Sequence, residues 1–332
     1  MRIKKKGIFL ITSFILIAFL YSCGKEDDTL SPKTNIIDIE LGSLIEEKGS
    51  GISNLNLTET GYKKVRNDDA IVEYNKKSEN YIFIRNNEHY FYSRGKEKKL
   101  EENNYENLHL SDDGKFLGYM AYDNIYTLKV LNIEDNKEVN IKSKVSISGK
   151  FFDFIGENNL IYYGISEKNE NGIFSYNLGS GKEELLYKID TGYLEFFKSY
   201  KDEIIFLQRV NEDEKLLKSL NLKDKSVETL SSNIDLLSDV LKSENNYYIL
   251  GSTKNDKNSL YILNDGELER IVYDFPEIVE MKSGLSINKN GEILFMGSNA
   301  GEKNLDVYSY SKENGINLLT ENSGKYNFIK IN

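Results

Sequence analysis

Residues 110–139 read LSDDGKFLGYMAYDNIYTLKVLNIEDNKEV. Between Tyr105 and Ile141 this stretch belongs to a unit of four extended runs, "NLHL", "FLGYMAY", "LKVLNIE" and a short "EVNI", parted by the turns "SDDGK" and "DNK" and by one loop. Runs of four to eight residues rich in Ile, Val, Tyr and Phe, bounded by Asn, Asp, Gly and Lys, are the pattern of antiparallel strands.

The unit repeats. Its second run recurs as "NYIFIR" from Asn80, "NLIYYG" from Asn159, "EIIFLQ" from Glu203, "YYILG" from Tyr247 and "EILFMG" from Glu292, at spacings of 35 to 45 residues. The third recurs as "HYFYS" from His89, "IFSYNL" from Ile173, "LLKSLNL" from Leu216, "SLYILND" from Ser259 and "LDVYSYS" from Leu305. Four strands per unit at this period specify a β-propeller, in which each blade packs its faces only against its neighbours, with a solenoid as the competing architecture.

The chain ends discriminate between the two. First strands begin near Ala70, Leu108, Phe151, Leu194, Ser238, Gly284 and Tyr326, and the last, "YNFIKIN", has no strands two to four behind it. Near the other end, "IIDIEL" (Ile36 to Leu41), "ISNLNLT" (Ile52 to Thr58) and "YKKV" (Tyr62 to Val65) supply them. A split blade closes a ring, whereas a solenoid needs polar caps. The expected fold is all-β: a propeller of seven four-stranded blades with one blade shared between the termini. Six blades are the alternative, with the N-terminal segment outside the ring.

The stretch from Leu110 resembles the repeat of TolB-like propellers, in which a Ser-Pro-Asp-Gly-Lys turn precedes an apolar strand and a Leu/Tyr-rich strand follows. Ser111, Asp113, Gly114 and Lys115 match that turn, and Asp112 stands in place of its proline. Elsewhere the turn is degenerate, as in "NKNGE" (Asn288 to Glu292) and "GENN" (Gly156 to Asn159). The likeness covers residues 36–332, implies a fold and carries no catalytic residue with it.

The N-terminus has a different grammar. Arg2, Lys4, Lys5 and Lys6 precede an apolar run from Ile8 to Leu20, too short to span about 30 Å of hydrocarbon. Then follows Leu20-Tyr21-Ser22-Cys23-Gly24, with the only cysteine of the 332 residues. This resembles the bacterial lipobox, with Tyr21 a bulky departure from it, and the resemblance implies cleavage between Ser22 and Cys23 and lipidation of the Cys23 thiol. Three segments result: a signal peptide (1–22), a lipidated cysteine with a flexible tether (23–35), and the propeller (36–332). From Gly24 to Thr34 no apolar period exists, and a coil of that length spans only about 18 Å. Cleavage removes four positive charges, taking the net charge from −10 to −14. The expected setting is the extracytoplasmic face of the cell membrane, where a domain without a cysteine pair has no disulfide.

Chemistry is sparse. The acidic balance argues against nucleic acid as a partner. His89 and His109, the only histidines, lie in strands without ligand-spaced neighbours, so no metal is expected. "NKNG" lacks the spaced carboxylates of a calcium loop. The S-x-x-K matches Ser93/Lys96, Ser286/Lys289 and Ser309/Lys312 fall at strand ends and turns, and no G-x-S-x-G elbow occurs. No catalytic residue and no cofactor is therefore assigned. With 23 Tyr and 16 Phe alternating in strands two and three, most rings belong between blades. The expected function is binding or scaffolding at the cell envelope, with the membrane engaged through the lipid and a protein or cell-wall partner. The alternative is an envelope glycan- or peptide-processing enzyme with carboxylates in the central channel.

Overall fold

The computed structural model describes residues 37–49, 51–65, 69–102, 104–299 and 303–332. Signal segment, Cys23 and tether lie outside the described residues.

Seven sheets form seven blades, antiparallel throughout except for one short parallel strand joined to the first. The second blade runs Tyr105–Leu110, Phe116–Asp123, Ile125–Asn132 and Lys137–Glu138 in sheet order from the channel outward. The first (from Ala70–Tyr74), third (from Val145–Ile155), fourth (from Tyr193–Tyr200) and fifth (from Leu236–Ser243) repeat this order. Successive strands are antiparallel, so every inner strand starts at one end of the disc, the entry end, together with the inter-blade connections and the hairpins between second and third strands. The exit end carries the turns from first to second and from third to fourth strands.

The second strands are continuously apolar because both of their faces are covered, and strand alternation sends successive side chains to opposite seams. In Glu203–Arg209, Ile204 and Phe206 pack toward the third blade, while Ile205 and Leu207 pack toward the fifth. Buried apolar clusters of this kind fill all seven seams.

The seventh blade is the split one. Lys325–Phe328 is its inner strand and pairs antiparallel with Leu44–Lys48, Leu44 opposite Phe328 and Glu47 opposite Lys325. Gly51–Thr58 and Gly61–Val65 follow. This settles seven blades over six and corrects the expected second strand, which is Leu44–Lys48 rather than the run ending at Leu41. Ile37 and Ile39 are buried without being extended partners of a sheet; they plug the seam between seventh and first blades. Their apolar alternation mimics a strand, but the register belongs to the next segment, whose Leu44 and Ile45 are buried while Glu47 and Lys48 reach water.

Three further boundaries differ from expectation. The inner strands of the second and third blades begin at Tyr105 and Val145, the latter passing a register shift between Ile147 and Phe152. In the sixth blade the inner strand is two pieces, Ile278–Val279 and Ser286–Ile287, both paired with Ile293–Ser298. After Glu280, whose N–H still donates to Met296 O, the chain leaves the ladder, and residues 282–285 turn into the channel wall.

Candidate functional site

The inner strands enclose a central channel of about 910 Å³. Its wall combines rings, such as Phe152 and Phe197, with Asp112, Asp153, Glu195, Asp239, Lys198, Lys242, Lys282 and Lys330.

Most of these charges join neighbouring blades. Between first and second blades, Glu73 Oε1 accepts from Leu110 N at 3.0 Å, and the Asn75 and Asn80 amides reach the carbonyls of Ser111 and Gly114. Between second and third, Asp112 Oδ2 accepts from Gly156 N at 2.7 Å. Between third and fourth, Ser199 Oγ donates to Asp153 Oδ2 at 2.6 Å. Lys198 then spans to Asp239 Oδ1 in the fifth blade at 2.7 Å, and Asp239 Oδ2 accepts from Leu285 N in the sixth at 2.8 Å. Glu203 adds an ion pair to Lys242 across the fourth and fifth blades. The seam between sixth and seventh is built on the apolar Leu44, Met296, Val307 and Tyr326, with an exposed ion pair between Lys289 and Glu59 at its edge.

At the remaining seam the chain passes from the seventh blade to the first. Lys330 and Ile331 pair in parallel with Glu73 and Tyr74. Lys330 Nζ lies 3.3 Å from Glu73 Oε1 and donates to His109 Nδ1 at 2.7 Å, and Asn332 Nδ2 donates to Glu73 Oε1 at 2.6 Å. Glu73 is only 3% exposed, whereas Lys330 keeps 41% of its side chain open. That opening is to the channel, whose wall Lys330 helps to line. Burial alone would lower the Lys330 ammonium, but Glu73 and Asp153 outweigh it and hold it above the usual lysine range. His109 is pushed down by burial and by Lys330, so its imidazole is neutral with Nδ1 as acceptor. Burial would raise Asp153, but Lys330, the Ser199 hydroxyl and the Phe154 N–H together hold it below the ordinary carboxylate value. Asp112 goes the other way, raised chiefly by burial.

His109 therefore has acidic and basic neighbours that its sequence surroundings do not contain, since Glu73 and Lys330 arrive from other blades. The "SDDGK" turn is a hydrogen-bonded knot: Ser111 Oγ donates to Asp113 Oδ1 at 2.8 Å and accepts from Phe116 N at 3.0 Å. Asp112, at the place of the motif's proline, is free to reach the next blade. "NKNG" is a side-chain-closed hairpin turn, Asn288 Oδ1 accepting from the amides of Asn290 and Glu292. Among the described residues, no group of three or more His, Cys, Asp or Glu side chains is placed to hold a metal ion.

The tyrosines divide into two populations. Tyr162, Tyr261 and Tyr308 are fully buried between blades, whereas Tyr122, Tyr126, Tyr193 and Tyr273 are exposed, all at the entry end.

No family model and no curated protein matches this sequence. Similar solved structures are propellers or contain them. Dipeptidyl peptidase 4 of Porphyromonas gingivalis aligns with a TM-score of 0.54 at 11% identity, over 94% of this chain and 55% of that one. The propeller domain of the Trilobed protease from Pyrococcus furiosus, described as having an open velcro topology, aligns at 0.52 and 15% identity over 76% and 86%. TolB from Acinetobacter baumannii aligns at 0.47 and 10% identity over 86% and 80%. The present chain thus spans about half the length of the dipeptidyl peptidase. The two alignments above 0.5 bear out the propeller fold; unlike the Trilobed protease domain, this ring is closed by a blade made from both ends of the chain.

Proposed function

We propose that this protein is a lipid-anchored, extracytoplasmic lipoprotein whose propeller is a binding or scaffolding module at the cell envelope. The observation that carries the binding role is the commitment of the channel carboxylates. Of the channel carboxylates, Asp112, Asp153 and Asp239 each accept from a neighbouring blade and Glu195 pairs with Arg209 and Lys215 of its own, while buried Glu73 accepts from the second blade, so all are held instead of standing free for proton transfer. Anchoring rests on the sequence from Leu20 to Gly24. Metabolic labelling with palmitate tests it: wild type takes up label and Cys23→Ala does not, and equal label in both overturns the anchor.

One observation favours the enzymatic alternative, a glycan- or peptide-processing activity. Asp112 is raised and Asp153 lowered in the same channel, the divergence that acid and base partners show. Turnover of a chromogenic glycoside or dipeptide by wild type, abolished in both Asp112→Asn and Asp153→Asn, would establish that reading over binding.

A further inference from the structure

Among the described residues, ten large apolar side chains stand exposed, and every one lies at the entry end. Tyr122, Ile125 and Tyr126 sit on the hairpin of the second blade, and Ile165 on the end of the matching strand in the third. Tyr193 and Leu236 open the inner strands of the fourth and fifth blades. Tyr273, Phe275 and Ile278 lead into the sixth, and Leu318 closes its outer strand. Scattered exposed apolar residues are ordinary, but their confinement to one end of a disc is not. On the exit end the turns interleave lysine with carboxylates, as in Lys223-Asp224-Lys225, and expose no large apolar side chain among the described residues.

Charge narrows what fits. On the arc from the fourth to the sixth blade, the entry-end connections 190–192, 210–214, 232–235, 254–255 and 271–277 hold seven carboxylates and one lysine; Lys188 pairs with Asp190 and Lys215 with Asp235, so the acidic excess lies in Glu212, Asp213 and Glu214 and in Asp274 and Glu277. Tyr193, Leu236 and Ile278 rim the channel mouth there, with Glu212, Asp213 and Glu214 on the hairpin of the fourth blade. An acidic rim around aromatic and aliphatic anchors complements a partner of opposite charge with its own apolar side chains, and it repels an anionic bilayer.

The chain outside the structure points the same way. The described residues begin at the exit end: Ile37 O accepts from Tyr74 OH at 3.1 Å at the close of the first inner strand, and Glu40 pairs with Lys76 in the turn beyond it. The chain toward Cys23 therefore departs from the exit end, opposite the exposed apolar side chains.

We infer that the entry end, on the arc of the fourth to sixth blades, docks a polypeptide presenting basic and apolar side chains. This rests on the anchored-module reading above and adds to it the face and the partner's chemistry. The test uses the full-length protein in its own membranes, with the photo-crosslinker p-benzoylphenylalanine placed at Tyr193, Leu236 or Tyr273, and, for the exit end, at Lys77, Asp224 or Glu313. Protease-sensitive adducts from the entry positions alone are expected, reduced at least fivefold by added polylysine, which competes for the acidic rim, but not by an uncharged polymer such as dextran. The same reduction is expected in E212K/D213K/E214K and, more weakly, in the charge-neutral E212Q/D213N/E214Q, which tests the hairpin without a new charge. Adducts from the exit positions alone overturn this face while leaving a binding module intact. Adducts dissolved by muramidase but not protease, or adducts indifferent to polylysine and to both hairpin variants, overturn the basic polypeptide. No adduct from either end overturns the inference and the binding reading together, independently of the palmitate result.

Discussion

The second and seventh blades have the same four-strand sheet and opposite origins. The second is one uninterrupted stretch, Tyr105–Glu138, whose inner strand is tied to its neighbour by the five-residue "SDDGK" knot. The seventh takes its inner strand from Lys325–Phe328 and the rest from Leu44–Val65, so no turn connects the innermost pair. In place of a turn it has a continuation: Ile329 is buried, and Lys330–Ile331 goes on to pair with the first blade. A local turn closes a short loop at small entropic cost, whereas joining the chain ends closes nearly the whole chain. The difference teaches that ring closure here rests on side chains and ladder pairs alone, concentrated in the last seven residues.

Deleting 326–332 is the most severe way to break this comparison. It exposes the edge of Leu44–Lys48, removes buried Tyr326 and Ile329, and strips Glu73 of Lys330 and Asn332. Each buried apolar side chain contributes about 1.5–3 kcal/mol, and 1 kcal/mol moves Tm by about 2–4 °C in a domain of 150–250 residues. A thermal melt is expected to fall by more than about 10 °C, with aggregation; a fall under about 2 °C would mean that the seventh blade does not depend on its C-terminal strand.

Removing the buried carboxylate at the closing seam comes next. Glu73→Ala leaves Leu110 N and the Asn332 amide without their acceptor and removes the counter-charge of the half-open Lys330, a loss of about 1–3 kcal/mol. Urea denaturation should show that loss, with Glu73→Gln losing less because a carbonyl oxygen still accepts.

The contiguous blade is sharpened by its turn. Gly114 has φ +67°, and a Cβ there would stand 2.1 Å from Ser78 Oγ, whereas Gly291 in the equivalent turn of the sixth blade has φ +80° and open space. Gly291→Ala is expected to cost the left-handed penalty of about 1–2 kcal/mol. Gly114→Ala should cost at least about 1 kcal/mol more, the overpacking term. Equal losses in urea would show that the knot tolerates displacement of Ser78.

The smallest effect is the pH dependence of the closing seam. His109 is lowered below its ordinary 6.5, so the unfolded chain binds the proton first and stability declines as pH falls through and below about 6.5. Asp153, also lowered, contributes stability above its ordinary 3.8 that is lost only as pH falls through its folded value. Between pH 7.5 and 5.5 the two histidines act together, since burial lowers His89 too, and raised Asp112 opposes them by gaining its proton first in the folded chain. Each supplies a slope of at most about 1.4 kcal/mol per pH unit. Urea midpoints at pH 7.5, 6.5 and 5.5 should fall for wild type and flatten in His89→Gln/His109→Gln.

Much of this molecule is legible because blades are local. Runs such as Ile204–Leu207 and Ile293–Met296 are apolar at every position, and only a strand covered on both faces needs that. Their spacing carries the period, and the period the propeller. Boundaries failed where partners are distant: Ile37 and Ile39 alternate like a strand but fill a seam, and residues 282–285 leave the sixth blade's inner ladder to line the channel. The candidate site was least legible. Glu73, His109 and Lys330 look unrelated in the chain, being separated by more than thirty and then more than two hundred residues.

The sequence by itself determined the repeat, the four-strand blade and the need for a split blade, because these follow from alternation and turn chemistry over a few tens of residues. Only the tertiary structure decided which N-terminal segment meets Lys325–Phe328, that Lys330 passes on to the first blade, and that the exposed aromatics gather at the entry end. The physical reason is that register between distant strands, and the face on which a side chain emerges, are set by packing across seams. A sum of local preferences contains no term for that contact.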